Sequence, residues 1–311
     1  MSGDVAVSII CNTYNQESYI QDALESFLSQ KTNFEFEVLV HDDASNDSTA
    51  KIICEYEKKY PKIIKPIYQK VNQYSQGKSV SLTYQFPRVK GKYVAFCEGD
   101  DYYTCNDKIQ RQFDILESIT EVDMCSHAAF EVQENTKKTI AKTVPQKYEG
   151  ILSANQVIKG GGGYLATNSL MFRRKLIDSI PEFRKFFPID YSLQIQGALR
   201  GGIYYDSAFM SAHRIAANNS WTISIKKDPA KRLAFNHRLE EMLKILDQET
   251  AKKYHEAIQE RLVRVRADDF WYSGNFKFLL KKENNLLYQS LSLREKMLLR
   301  LHIYCPFLFD R

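Results

Sequence analysis

Two periodicities alternate along the first 130 residues, and this alternation limits the possible folds more than any other feature of the sequence. Short apolar runs typical of buried strands occupy residues 5–11, 36–41 and 92–97. Helical patterns separate them, with apolar residues three and four apart over residues 20–28 and 52–60. Strands that alternate with helices form right-handed βαβ units, so we expect an α/β fold with a mostly parallel sheet flanked by helices.

The same domain is predicted to continue to about residue 225. It would contain a helix around Ile109–Leu116, strands over 124–132 and 164–172, and helices near 174–186 and from Asp190 onward. The pattern beyond residue 228 is helical throughout. We therefore predict a main domain, 1–225, followed by a helical C-terminal region, 226–311, whose apolar faces include Leu239, Met242, Leu243, Leu246, Tyr254, Ala257, Ile258, Leu262 and Val265.

Composition excludes several classes of protein. The 43 basic and 38 acidic residues give a net charge of +5, too small and too dispersed for a nucleic-acid partner. The six cysteines have neither zinc-type nor disulfide-type spacing, which indicates free thiols in a reducing compartment. The sequence shows no signal peptide and no run of about 18 apolar residues, so we expect a cytoplasmic chain, either free or peripheral to the membrane.

Polar segments follow three of the predicted strands, at the edge of the sheet where α/β proteins bind ligands. They are NTYNQE at 12–17, DDASNDST at 42–49 and EGDD at 98–101. Asp47 is a predicted helix cap. Asp43, nearer its strand, could accept a hydrogen bond from the ring N–H of a nucleotide base.

The adjacent acids Asp100 and Asp101 admit two interpretations. They could face water in a glycine-containing turn, as charged dipeptides in loops commonly do. Alternatively, a divalent cation could offset their mutual repulsion, because carboxylate oxygens are the ligands that Mg²⁺ and Mn²⁺ prefer. Such an ion would also stabilise a departing diphosphate.

Taken together, the three segments resemble the signature of family 2 glycosyltransferases of the GT-A fold, in order and in spacing. The resemblance covers roughly residues 5–221 and implies a nucleotide-binding half, about 1–105, and an acceptor half, about 106–225. It implies an inverting transfer with Mn²⁺ or Mg²⁺ as cofactor. The implied nucleotide-sugar contacts are Thr13, Tyr14, Glu17, Asp43, Glu98 and Asp100, with Asp101 as the direct metal ligand.

Two further segments carry implied roles. FFPIDYSLQIQGAL resembles the segment that supplies the catalytic base, which would be Asp190; the alternative is that Asp190 only caps the following helix. MSAHRIAANNSWT resembles a segment usually written Y-R-x-H. Here Arg214 matches and is the candidate diphosphate contact, but Ala216 replaces the family's His, so His213 is a candidate replacement metal ligand.

Two segments admit more than one interpretation. The glycine run at 160–163 is either a mobile loop over the acceptor or a plain linker. The apolar C-terminal stretch 292–311, with Arg294, Lys296 and Arg300, could lie on an anionic membrane, pack on the catalytic domain or join two subunits.

The sequence therefore predicts an inverting glycosyltransferase. It would move a sugar from a nucleotide diphosphate, expected to be UDP, to a glycan or lipid-linked saccharide in surface polysaccharide synthesis. Two alternatives are a nucleotide-sugar or glycan-binding protein without catalysis, and a metal-dependent nucleotidyltransferase or phosphohydrolase. The latter would usually carry a glycine-rich basic phosphate loop, which NTYNQE is not. The donor sugar, acceptor and linkage do not follow from the sequence.

Overall fold

A computed structural model describes residues 5–215 and 228–305 of the chain. The predicted alternation is present, and the described part of the chain has five further strands that the sequence does not predict, near residues 64, 102, 139, 150 and 203. The strands are β1 Val7–Thr13, β2 Phe36–Asp42, β3 Ile64–Tyr68, β4 Tyr93–Phe96, β5 Tyr102–Tyr103, β6 Met124–Gln133, β7 Thr139–Thr143, β8 Gly150–Leu152, β9 Met171–Arg173 and β10 Ile203–Ile215. The helices in the same stretch of the chain are α1 Ile20–Leu28, α2 Thr49–Lys59, α3 Lys108–Ser118, α4 Ala154–Gly160, α5 Lys175–Asp178, α6 Glu182–Phe186 and α7 Asp190–Ala198.

These strands form one sheet in the order β3-β2-β1-β4-β9-β6-β10-β5, with β7 beside β6 and β8 beside β10. Neighbours within β3, β2, β1 and β4 are parallel, as are β6 and β10. The short strand β9 runs antiparallel to both β4 and β6. The α/β prediction is therefore confirmed, and the carboxyl ends of β1, β2 and β4 meet at one edge.

Burial explains why these segments are strands and helices. Every residue of β4 is buried, and so are all residues of β1 except Asn12, as expected for parallel strands covered on both faces. Helix α1 buries Ile20, Ala23, Leu24 and Phe27 on one side, which is the predicted stripe. Its apolar face joins the core cluster formed by the central strands.

Two predictions for the middle of the chain were wrong in detail. The run 164–172 is strand only at its end, in β9, because residues 167–169 form a 3₁₀ turn instead. The helix expected near 174–186 is two short helices, α5 and α6, which are separated around Pro181. Gly160 ends α4, and the next residue, Gly161, has a positive φ of 75°.

A second compact unit contains the described residues 158–161, 182–187 and 228–305. Its long helices are α8 Pro229–Glu249 and α9 His255–Tyr272. The predicted apolar faces of both helices are buried. Shorter helices follow, namely α10 Phe276–Leu279, α11 Asn285–Ser290 and α12 Leu293–Tyr304.

Helix α12 packs within this unit through Leu299, Ile303 and the ring of His302. Leu299 is fully buried in a cluster with Ala267, Leu279 and Leu291. Leu293 and Met297 on the same helix are exposed. No helix among residues 5–215 and 228–305 is long and apolar enough to span a membrane. All six cysteines of the chain are free.

Candidate active site

The loops that follow β1 and β2 are joined to each other by hydrogen bonds. The amide of Asn15 donates to Ser45 Oγ at 2.9 Å, and the amide of Gln16 donates to Thr49 Oγ1 at 2.8 Å. In return, the amide of Asn46 donates to Asn15 Oδ1 at 2.8 Å. Asn15 has a positive φ of 52°, a backbone conformation that Asn adopts more readily than most residues. The two loops therefore form one preorganised surface.

Glu17 and Asp47 extend this connection. Glu17 accepts a hydrogen bond from the amide of Ser48 at 2.8 Å, and its own amide donates to Asp47 Oδ2 at 3.1 Å. Asp47 Oδ1 also accepts from the amide of Thr49, the first residue of α2, at 2.9 Å. The predicted capping role of Asp47 is confirmed. The exposed carboxylate of Glu17 is engaged by this neighbouring loop.

Asp43 lies immediately after β2 with only 4% of its surface exposed. Its carboxylate oxygens accept hydrogen bonds from the amides of Gln73 at 2.8 Å and Tyr74 at 3.0 Å. A carboxylate oxygen has two acceptor positions, so each retains one for another donor. Asp43 thus binds the loop that follows β3 as well as facing this edge of the sheet.

Gly99 lets the loop after β1 approach the acidic turn closely. A Cβ atom at position 99 would lie 2.5 Å from Gln16 Oε1 and 2.9 Å from Thr13 Oγ1. Both of these oxygens are buried and lack a hydrogen-bond partner among the described residues. Two unsatisfied acceptors thus border the turn, and Tyr14, which is half-buried, follows Thr13.

Negative charge accumulates in the turn after β4. Burial raises the pKa of Glu98 well above its ordinary value, and among neighbouring charges that of Asp190 contributes most. Burial, followed by the charge of Asp101, raises the pKa of Asp100 to about 7. Part of the Glu98 surface meets solvent, but the surrounding protein displaces much of the water that would stabilise its charge. A cation would relieve this repulsion.

Asp101 is the most enclosed carboxylate of the turn, with 2% of its surface exposed. Its Oδ1 accepts from the amide of Arg214 at 2.9 Å, and its Oδ2 accepts from Asn168 Nδ2 at 2.9 Å. His213 Nδ1 lies 3.1 Å from both oxygens. The charge of Asp101 raises the pKa of His213 to about 9, against the effect of burial. In this structure the imidazole is thus the cation beside Asp101.

The sequence motifs did not reveal Asn168. This residue is 1% exposed, and Ser211 Oγ donates to its Oδ1 at 2.6 Å, which directs its Nδ2 toward Asp101. The same Nδ2 donates to the carbonyl of Ala212 at 3.1 Å. The only signal in the sequence is the polar group Thr167, Asn168 and Ser169 inside a run that is predicted as a strand.

Arg214 faces the protein interior. Its side chain is 1% exposed, Nη1 donates to the carbonyl of Asp100 at 2.5 Å, and Nη2 pairs with Asp22. The predicted diphosphate contact therefore needs correction, because an enclosed guanidinium with these partners is not presented to a ligand. Ala216, the position of the absent family His, lies outside the described residues.

Asp190 begins α7 at the opposite side of the acidic turn. Its side chain is exposed, and Oδ2 accepts from Thr167 Oγ1 at 2.6 Å. The helix N-cap is Ile189, whose amide donates to Ser192 Oγ at 3.2 Å. Two adjacent residues, Thr167 and Asn168, donate to Asp190 and Asp101 respectively, which places Asp190 near the acidic turn.

The residues present fit a divalent cation. Asp101 and His213 supply a carboxylate oxygen and an imidazole nitrogen 3.1 Å apart, and two adjacent ligands at about 2.1 Å from one ion lie about 3 Å apart. Within residues 5–215 and 228–305, no three His, Cys, Asp or Glu side chains form a complete ligand set. Mg²⁺ commonly uses one or two protein ligands together with substrate phosphates and water, so a complete set is not required.

Comparison with known proteins identifies relatives. The family model described as glycosyl transferase family 2 matches residues 8–180. An uncharacterised protein of Mycobacterium tuberculosis is 33% identical over 216 residues, which are 69% of this chain and 60% of that protein. A Bacillus subtilis protein, the putative teichuronic acid biosynthesis glycosyltransferase TuaG, is 34% identical over 110 residues, covering 35% of this chain and 41% of TuaG. The chain thus spans 60% or less of the length of these two relatives.

A solved structure supports the fold. The crystal structure of Staphylococcus aureus TarS in complex with UDP-GlcNAc has a TM-score of 0.63 at 17% identity, and the match covers 92% of this chain and 80% of that chain. At this identity the likeness shows the fold alone. The prediction of a GT-A fold with a helical C-terminal region is confirmed.

Proposed function

The chain belongs to glycosyl transferase family 2, and we propose that it transfers a sugar from a nucleotide diphosphate donor to a glycan or lipid-linked saccharide with inversion at the anomeric carbon. The observation that carries this proposal is that adjacent residues Thr167 and Asn168 hydrogen-bond Asp190 and Asp101, and that His213 contacts the same Asp101 carboxylate. We propose UDP as the nucleotide, in keeping with the TarS complex with UDP-GlcNAc.

Each chemical requirement of the transfer has a candidate residue. A sugar hydroxyl becomes a good nucleophile when a positioned carboxylate accepts its proton, and Asp190 is the proposed base. Thr167, which donates to Asp190 Oδ2, would keep the carboxylate oriented.

The donor would lie along the joined loops. We propose that Thr13, Tyr14 and Asp43 contact the nucleotide, with Asp43 using its remaining acceptor positions for the base. Glu17 would act by fixing the loop that carries them. Asp100 and Glu98 would face the donor sugar or ribose. This assigns the donor to residues of the half 1–105, the acceptor to the half 106–225, and no catalytic role to 226–311.

Asp101 and His213 would hold Mn²⁺ or Mg²⁺. The cation would supply the positive charge that stabilises the departing diphosphate. Asn168 and the amide of Arg214 would keep the Asp101 carboxylate in place while His213 exchanges its contact. A role in surface polysaccharide synthesis is proposed from the similarity to TuaG, and a membrane or subunit contact of α12 remains a prediction.

The test is metal-dependent release of nucleotide diphosphate across a donor panel. UDP-GlcNAc, UDP-glucose, UDP-galactose and GDP-mannose would each be incubated with the protein, simple saccharide acceptors, and either Mn²⁺, Mg²⁺ or EDTA. We expect release of UDP from one donor with a divalent cation and not with EDTA. Binding of a donor without turnover on any acceptor would favour the non-catalytic binding protein, and release of nucleoside monophosphate would favour the nucleotidyltransferase or phosphohydrolase.

A further inference from the structure

A buried ion pair lies directly behind the Asp100–Asp101 turn. Arg214, near the end of β10, donates through Nη2 to Asp22 Oδ2 in α1. The Arg214 side chain is 1% exposed and that of Asp22 is 29% exposed. Two aromatic rings enclose the guanidinium, since its Cζ lies 5.2 Å from the ring centre of Tyr19 and 4.7 Å from that of Tyr102. A guanidinium held in this way acts on protein groups and does not meet a ligand.

Arg214 contacts the acidic turn at two points. Its Nη1 donates to the carbonyl of Asp100 at 2.5 Å, and its backbone amide donates to Asp101 Oδ1 at 2.9 Å. The preceding residue is His213, whose ring contacts the same Asp101 carboxylate at 3.1 Å. One residue thus fixes the backbone of one acid, the carboxylate of the next, and the strand position from which His213 projects.

Asp22 determines where this guanidinium can lie. A buried charge without its partner is strongly unfavourable, so loss of Asp22 would release Arg214 from its place rather than leave it there unpaired. Asp22 also pairs with Lys137 at 2.8 Å, and Lys137 Nζ lies 5.4 Å from the Tyr102 ring centre. The Asp22 carboxylate therefore pairs with both Arg214 and Lys137. Through Arg214 it connects α1, which follows the loop after β1, to the Asp100–Asp101 turn.

We propose that Arg214, held by Asp22, is a positioning residue that fixes the Asp100–Asp101 turn and His213 for a divalent cation. The inference rests on the proposed function, because it concerns the same cation. Outer contacts of metal ligands are typically worth about 10-fold to 100-fold in metal affinity. Arg214 and Asp22 would thus change the metal affinity by this amount without contacting the cation or the donor.

The experiment is a Mn²⁺ titration of the full chain, followed by the electron paramagnetic resonance signal of free Mn²⁺. We expect Arg214→Lys and Asp22→Asn each to raise the Mn²⁺ dissociation constant by about 10-fold to 100-fold. Lysine keeps the charge but has a single ammonium group. It therefore cannot donate to the Asp22 carboxylate and the Asp100 carbonyl in the way that the two Nη groups of the guanidinium do. In turnover assays the apparent Mn²⁺ constant should rise, while kcat at saturating Mn²⁺ stays near that of the wild type.

Arg111→Lys is the matched control. Arg111 in α3 pairs with Asp206 of the same strand β10 at 2.8 Å, and neither residue hydrogen-bonds the acidic turn within the described parts of the chain. This variant should leave the Mn²⁺ dissociation constant unchanged, whatever it does to the melting temperature. Thermal denaturation would check that every variant is folded, and Asp22→Glu would replace Asp22→Asn if that variant is not.

The possible failures are distinguishable. If the wild type binds Mn²⁺ and both variants bind it equally well, the positioning role is overturned and the proposed function is not. If the wild type binds Mn²⁺ neither alone nor in the presence of UDP, both are overturned. If Arg214→Lys weakens UDP binding in EDTA and Asp22→Asn does not, then Arg214 contacts the diphosphate itself, which also overturns the positioning role.

Discussion

The acids after β2 and the acids after β4 lie at the same edge of the sheet, but they differ in their hydrogen bonding. Asp43 and Asp47 each accept hydrogen bonds from two backbone amides. The carboxylates of Glu98 and Asp100 accept none from other residues within the part of the chain that the structure describes, and burial raises the pKa of both. The first pair is satisfied by the protein, and the second requires a charge from outside it. The comparison separates acids that build the site from acids available to a ligand.

The largest effect is expected from Asp190→Asn. Loss of a general base typically costs about 100-fold to 10,000-fold in rate, so kcat should fall by about a thousandfold. Donor affinity and melting temperature should change little, because the amide oxygen can still accept from Thr167. Steady-state kinetics with calorimetric donor binding would check this. Equal activity of the two proteins would remove Asp190 from its proposed role.

Asp43→Ala should act mainly on stability. It leaves the amides of Gln73 and Tyr74 without their acceptor, and a hydrogen bond to a charged group is worth about 1.5–3 kcal/mol. We expect a loss of about 2–3 kcal/mol for local opening of this loop. Amide hydrogen exchange at residues 73 and 74 measures it directly, with Asp43→Asn as the milder control. Unchanged protection would mean that the amides have other acceptors.

Asp100→Asn should raise the stability of the protein, whereas Asp43→Ala lowers it. In metal-free, mildly alkaline buffer it removes one of several crowded negative charges, and we expect a gain of about 1 kcal/mol, since relaxing such functional strain commonly yields about 0.5–2 kcal/mol. Saturating Mn²⁺ should reduce this gain, because the cation offsets the same repulsion in the wild type. Thermal denaturation with and without Mn²⁺ compares the two. A loss of stability in EDTA would contradict the contrast between the two groups of acids.

Asp47→Ala should give the smallest change, about 1 kcal/mol at neutral pH, as for other helix caps. Burial acts to raise the pKa of Asp47, but the amides of Thr49 and Glu17 outweigh it and lower the pKa below 3.8. A lowered pKa in the folded state means that the ionised carboxylate stabilises the fold above pH 3.8, and that this contribution is lost as the pH falls through the folded value.

Urea denaturation of both proteins at several pH values would test this. The difference between wild type and Asp47→Ala should be constant above pH 3.8 and shrink below it. A difference independent of pH would show that the cap acts through packing rather than charge.

Hydrophobic periodicity along the sequence predicted most of the strands and helices in the first 130 residues. Strands β1, β2, β4 and β6 and helices α1–α3 lie where periodicity placed them. Strand β3 was missed because it contains Lys65 and Pro66, which a central strand would exclude and which the edge position of β3 allows. The predicted fold was thus incomplete where a residue's suitability depends on the position of its strand in the sheet.

The site divides in the same way. The acids of the three polar segments were found because each follows a strand. Asn168 was missed, and the direction of Arg214 was not predictable, because their contacts with Asp101 and Asp22 join residues far apart in the sequence. A motif gives the type of a side chain at a position, and the burial of that side chain depends on the packing around it.

The close approach at Gly99 has a consequence for how the chain can change. Thr13 is β-branched and its side chain is rigid, so any substituent at position 99 would displace the loop after β1 or the acidic turn. A substitution at position 99 therefore cannot change the loop after β1 and the acidic turn independently of each other. Libraries designed to alter donor preference should hold residue 99 as glycine and vary the loop that follows β3 at positions other than Gly77, whose φ of +77° would strain other residues.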